Sequence, residues 1–296
     1  MGNPFRCSDA ARARGESMAG TAPVGRFLLL IEHAGPWANK PLQSAPLNTI
    51  AADLQARIDA ADAQVLLVRR PGREGRTLAQ HCWWVIDTAT GRATHGLWHD
   101  PTDLLDAATH LTGLPDDAGE APRMILVCTH ATRDVCCAVR GRPIVAALAT
   151  ALPDATWECS HLGGHRFAGT MMLVPDGLLL GGLDPDSAIE QARRHFLGRI
   201  GPEHYRGHAR LDKPAQVAVA KHLTMTGETS LESIGDATVS IAAGQDDEPV
   251  SAWDVTLTGP SATTHWHVSN VPGEPVLQSC AAIEPGASPV WTVTAR

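Results

Sequence analysis

The sequence predicts an α/β fold: two consecutive units of the order βαβββα, followed by a small antiparallel β domain. Three observations predict it. From Arg26 onward, short apolar runs of strand length alternate with segments whose apolar residues recur at helical spacing. The same order of elements then occurs a second time without obvious sequence identity between the two runs. Beyond Gly235 the text becomes alternating and rich in Thr, Ser, Gly and Pro, which is the signature of short paired strands.

In the first unit, Phe27 to Glu32 reads as an apolar strand, and Leu47, Ile50, Ala51, Leu54 and Ile58 mark one face of a helix. A strand follows at Gln64 to Val68. Cys82 to Ile86 and Thr94 to Trp98 flank Thr90-Gly91 as a hairpin, and Pro101 to Leu111 reads as a helix with Pro in its first turn. In the second unit the corresponding segments are Met124 to Cys128, Cys136 to Leu152, Thr156 to Cys159, a hairpin of Thr170 to Val174 and Leu178 to Gly182, and a helix from Pro185 to Ile200. Pro143 is expected to kink or split the helix that contains it. A strand-helix-strand unit closed by a hairpin and a helix satisfies a thioredoxin-like layer, a mixed sheet covered on both faces. The remainder is expected to hold a helix at Pro214 to Met225 and strands near Thr238 to Ala242, Trp253 to Thr258, Thr264 to Val268, Val276 to Ala281 and Val290 to Thr294. The expected division is therefore a mobile leader (1–25), a thioredoxin-like scaffold unit (26–118), a second such unit (119–208), and a helix with a β domain (209–296).

Composition limits the function. With 44% apolar and 19% charged residues over 296 positions, the chain has the material for a packed core. Its 24 basic residues are outnumbered by 32 acidic ones, for a formal charge of -8, which argues against nucleic acid as the partner. No apolar run approaches the roughly 20 residues of a membrane span. Arg6, Arg12 and Arg14 without an apolar stretch do not make a secretory signal, and Arg6 stands where a myristoylation pattern requires Ser or Thr. A cytoplasmic protein without membrane contact is expected. The seven cysteines are odd in number and unevenly spread, unlike a disulfide framework, so their clustering points to metal or redox chemistry.

Two clusters carry that chemistry, both in the second unit. Cys128-Thr129-His130-Ala131-Thr132-Arg133-Asp134-Val135-Cys136-Cys137 spans a strand end and the start of the next helix. Cys159-Ser160-His161-Leu162-Gly163-Gly164-His165-Arg166-Phe167 follows the third element. Both loops emerge at one edge of the predicted sheet, so thiols and imidazoles can converge there. Gly163-Gly164 favours a tight loop over a helix between the two histidines. From spacing alone Cys128 can pair with Cys136 or Cys137, and Cys159 lies close enough to compete. Cys136 and Cys159 are read as small buried hydrophobes.

These two motifs, with Gly141-Arg142-Pro143, Trp157, Ala168-Gly169-Thr170 and the upstream segments Gly20 to Pro23, Phe27 to His33 and Gly35-Pro36-Trp37, resemble the sucrase/ferredoxin-like family, whose members are thioredoxin-like ferredoxins. The similarity runs from about Cys7 to Tyr205. It implies a [2Fe-2S] cluster held by Cys128, Cys137, His161 and His165, the family spacing selecting Cys137 over Cys136. It thereby implies a one-electron carrier, an electron-transfer protein more than a catalyst, working with a redox partner protein, a reductase or an acceptor. No carboxylate pair supports glycoside hydrolysis. Two neutral imidazoles in place of two thiolates remove negative charge from the centre and raise its potential. Uptake of a proton by an imidazole on reduction makes that potential pH-dependent.

Two other chemistries compete. Two Cys and two His also make a structural zinc site, although eight residues between the cysteines fits zinc spacing poorly. Cys136-Cys137 at a helix start suggests thiol redox catalysis, but no Cys-x-x-Cys is present. The first unit has His33 at its strand end and no matching thiol, so it is expected to scaffold. Cys82 reads as strand core and His265 with His267 as surface residues. Arg133, Arg140, Arg142 and Arg166 are placed to tune the centre or dock an acidic partner.

Overall fold

A computed structural model describes residues 5–72, 81–242, 251–260 and 262–296. A short helix α1 (Cys7–Ala13) precedes strand β1 (Phe27–Glu32), helix α2 (Ala51–Ala60), strand β2 (Gln64–Arg69), the hairpin β3 (His81–Asp87) and β4 (Arg92–Trp98), helix α3 (Asp103–Ala107) and strand β5 (Gly119–Glu120). The second run is β6 (Met124–Cys128), α4 (Val135–Ala151), β7 (Thr156–Cys159), the hairpin β8 (Met171–Val174) and β9 (Leu178–Leu180), α5 (Pro185–Phe196) and β10 (Tyr205–His208). Helix α6 (Lys213–Thr226) leads to β11 (Asp236–Ile241), β12 (Ala252–Thr258), β13 (Thr263–Pro272) and β14 (Pro289–Ala295).

The expected mixed α/β class with a separate antiparallel sheet is what forms. Ten strands make one sheet in the order β10-β9-β8-β6-β7-β2-β1-β3-β4-β5, and the last four strands make a second sheet in sequence order. Strands β1 and β6 are buried at every position, as central strands covered on both faces should be. The two runs do not make separate sheets. Val68 and Arg69 of β2 pair antiparallel with Cys159 and Glu158 of β7. Ser160 Oγ accepts from the Leu67 amide at 3.0 Å, and Arg69 pairs with Glu158 at 2.5 Å. This join brings the end of β7, and with it the histidine loop, into the middle of the molecule.

Several local expectations are revised. The segment read as a mobile leader contains α1, whose Cys7 and Ala11 are buried. Helix α4 runs unbroken for 17 residues despite Pro143. Arg142 and Pro143 lie on its exposed side, where water can satisfy a carbonyl left without a partner, while Gly141, Ile144, Val145 and Leu148 hold the opposite face to the core. Helix α5 stops at Phe196 instead of Ile200, because Gly198 takes a left-handed conformation just past its end. The helix expected over Pro101 to Leu111 is α3 followed by a 3-10 stretch at Ala108–Thr112. No strand forms at Val276 to Ala281. Only Val276 bridges, to Gly286, and the Cys280 amide donates to Asp134 Oδ2 instead of to a ladder. The sequence reading also missed β10, which extends the sheet beyond β9. Among the described residues no helix is long and apolar enough to cross a membrane.

His208 on β10 is buried with Tyr205 Oη 3.2 Å from its Nδ1. Burial, reinforced by Arg210 and His195 and opposed by Asp176, lowers its pKa to about 3. A histidine depressed in this way contributes stability that is complete above its unfolded pKa, near 6.5, and that is lost as pH falls toward the folded value. Between about pH 7 and about pH 5 this group should therefore remove about 2 kcal/mol of unfolding free energy. Urea midpoints across that range should fall less steeply for His208→Asn; an unchanged slope would refute the assignment.

Candidate metal centre

The centre is built where two parallel strands end side by side. Cys128 closes β6 opposite Cys159, which closes β7. After Cys128 the chain crosses a loop to Asp134, whose extended backbone and side chain cap α4: Oδ1 accepts the Cys136 amide at 2.8 Å. This cap places Cys136 and Cys137 in the first helical turn. Gly141 lets the helix close against the strand end, since a Cβ there would land on the carbonyl oxygen of Cys128. Gly141→Ala should cost about 3 kcal/mol in a urea titration, because neither backbone can yield freely. A cost below experimental error would show that the helix and strand end can separate.

The histidine loop follows Ser160. Gly163 and Gly164 have φ of 70° and 61°, the tight turn that the glycine pair predicts, and a 3-10 turn carries His165 to Phe167. A Cβ on Gly164 would sit 2.5 Å from Arg206 Nη2. Arg206 is wholly buried and donates to the carbonyls of Leu162, Gly163 and Thr21 and to Thr21 Oγ1. It thus holds the turn open toward the thiols.

Donor atoms of Cys128, Cys137 and His161 all lie within 4.8 Å of one another. Cys137 Sγ is 3.8 Å from His161 Nδ1. His165 is outside that group of three; its Nδ1 lies 3.4 Å from His161 Nε2, and its Nε2 lies 3.9 Å from Asp134 Oδ2. The buried thiols polarise each other. A hydrogen bond from Cys137, aided by His161 and opposed by burial, holds the Cys128 thiol well below its ordinary range. The same bond, with burial, pushes Cys137 up. Burial also lowers His165, with Asp134 opposing. Two buried soft sulfurs and a half-buried imidazole nitrogen form a donor set able to hold a metal.

The first run of elements braces this loop. His130 Nε2 lies 2.9 Å from the Ala38 carbonyl and its ring meets Trp37 edge-on. Thr132 Oγ1 donates to the Trp37 carbonyl, and Asn39 donates to the Thr132 carbonyl. His33 is buried against the Ala45 carbonyl, away from the thiols. Cys82 is half-buried beside Glu32. His267 pairs with Asp254 at 3.0 Å and His265 is exposed. Of the four arginines, Arg166 is committed to Glu16 at 2.6 Å and stacks over Phe167, and Arg140 pairs with Asp9. Arg133 donates to Asn39, and Arg142 is exposed.

Cys136 departs from its reading as a mere small hydrophobe. It faces away from Cys137 into a second group with Cys7, Asp134 and Cys280. Sequence reasoning missed Asp134, although Asp two residues before Cys136 is a recognisable cap. It also missed Arg206, Cys7 and Cys280, whose roles depend on contacts far along the chain.

No curated protein and no solved structure matches the chain. A family model, described as sucrase/ferredoxin-like, matches residues 18–208, which span β1 to β10 and include both loops that carry the candidate ligands. The chain belongs to the sucrase/ferredoxin-like family.

Proposed function

We propose that this protein is a one-electron carrier, a thioredoxin-like ferredoxin whose [2Fe-2S] cluster is held by Cys128, Cys137, His161 and His165. The observation that carries the reading is the convergence of Cys128, Cys137 and His161, with His165 against His161, inside the segment that the family model matches. The residues fit such a group in kind: two thiols and two imidazoles on two loops, with paired glycines in left-handed conformation turning the histidine loop against Pro23 and Arg206. Strand orders β2-β1-β3-β4 and β7-β6-β8-β9 also share the same parallel and antiparallel senses, which supports two thioredoxin-like units, the first acting as scaffold.

When bound, the cluster supplies reversible one-electron chemistry. Around it, the loop ends exclude water, the Arg206 guanidinium places positive charge near the two cysteines, and the neutral imidazoles spare the site two negative charges. A redox partner, reductase or acceptor, would approach the histidine side, where both rings are half-buried and the thiols are fully covered.

Purification without air should give a coloured protein with about two irons and two sulfides per chain, bleached by dithionite. A colourless chain with one zinc on these residues would sink the proposal; the short Cys137–His161 separation would then mark a mononuclear site. His161→Cys or His165→Cys should keep the colour and lower the midpoint potential by on the order of 100 mV or more, read by redox titration.

A further inference from the structure

We propose a second, mononuclear metal site, independent of the first, in which Cys7, Cys136 and Cys280 supply three thiolates and Asp134 a carboxylate to a divalent cation of the zinc class. Cys7 and Cys280 come from opposite ends of the chain and meet Cys136 in the first turn of α4. Cys136 Sγ is 3.2 Å from Cys280 Sγ, which is 3.6 Å from Cys7 Sγ. Both oxygens of Asp134 lie 3.8 Å from Cys7 Sγ. A tetrahedral ion with metal–sulfur bonds of about 2.3 Å and metal–oxygen bonds of about 2.0 Å needs S···S near 3.8 Å and S···O near 3.5 Å. A disulfide needs about 2.05 Å. The observed separations lie well beyond a disulfide and within about 0.6 Å of those of ligands around one ion, and all seven cysteines are free.

Two donors from α1 face the sulfurs. Ser8 Oγ donates to Cys136 Sγ at 3.3 Å, and the Cys7 amide donates to Cys280 Sγ at 3.5 Å. Asp134 is oriented by the amides of Cys136 and Cys280, each at 2.8 Å, one on each oxygen. Each carboxylate oxygen keeps a lone pair for the ion, and hydrogen-bonded ligand carboxylates are the usual outer-shell pattern of metal sites. Cys7 and Cys136 are buried and Cys280 is half-buried, which leaves a path for entry from the C-terminal segment. The site offers one carboxylate beside three soft sulfurs, so magnesium and calcium, which take oxygen ligands, do not suit it. Binding replaces three S–H bonds by three sulfur–metal bonds and releases the three protons to solvent.

The site would fasten α1 and the segment around Cys280 onto the first turn of α4, one residue from Cys137 and, through Asp134, 3.9 Å from His165. It would hold in place the cap on which the other centre depends.

The test uses the full chain, purified without air or chelators from medium holding both iron and zinc. Elemental analysis should find about one zinc per chain beyond the iron. Cys7→Ser and Cys280→Ser should each lose that zinc while keeping iron and sulfide. Asp134→Asn should weaken zinc retention against a chromophoric chelator by roughly ten-fold or more. Cobalt in place of zinc should give the visible bands of tetrahedral thiolate coordination, lost in Cys280→Ser. Should Cys7→Ser not fold, alkylation of Cys280 in the native chain decides: slow with zinc, fast after chelation. A wild-type chain with neither zinc nor cobalt uptake, zinc retained in Cys280→Ser, or a Cys136–Cys280 disulfide in the anoxic protein each overturn the site. The electron-carrier reading fails separately: a chain without iron whose zinc leaves in Cys280→Ser would sink that reading and keep this one.

Discussion

Cys137→Ser should abolish the visible colour and remove nearly all iron, whereas Cys136→Ser, one residue away, should leave most of the iron in place. Neighbours in the first turn of a helix point about 100° apart, and here that rotation sends them to different groups. Cys137 reaches Cys128 and His161, and Cys136 reaches Cys280 and Cys7. Loss of one of the four proposed ligands would leave the metal with an open position. Loss of Cys136 should instead release the zinc assigned to the second group. Iron and zinc counted in the same preparations read both effects, and equal iron loss in the two variants would contradict the division.

Arg206→Met should lower unfolding free energy by about 3 kcal/mol or more, the largest effect expected outside the metal ligands. Its guanidinium, wholly buried, serves Thr21, Leu162 and Gly163 at distances from 2.7 to 3.4 Å. Removing it leaves these buried and half-buried acceptors without their donor. Burial lowers its pKa to about 10, with Arg166 adding, so it remains charged at neutral pH. Arg206→Lys keeps the charge but not the fork and should recover only part of the loss. Urea titration, followed by iron content of the folded fraction, checks both. An unchanged midpoint for Arg206→Met would show that the histidine loop holds itself.

Much of the fold was legible because its strands are buried on both faces and so read as unbroken apolar runs. Phe27–Glu32 and Met124–Cys128 fall where that reading puts them. Less legible were elements whose ends depend on side-chain contacts. The stretch at 276–281 is expected to pair as a strand, yet its Cys280 amide is taken by a carboxylate 146 residues earlier. Residues 5–25 look featureless, yet α1 buries Cys7 against the start of α4. Pro143 argues for a break that burial of the opposite helix face overrides.

By itself, the sequence determined the α/β class, the family and the pair of loops that carry the clustered thiols and imidazoles, because apolar periodicity, glycine pairs and motif spacing are local properties of a chain. Only the tertiary structure decided that the two βαβββα runs share one sheet, that Cys136 and Cys137 serve different groups, and that Cys7 and Cys280 meet. Those outcomes depend on which distant atoms share a buried volume, and free energy of burial and hydrogen bonding, not sequence neighbourhood, selects them.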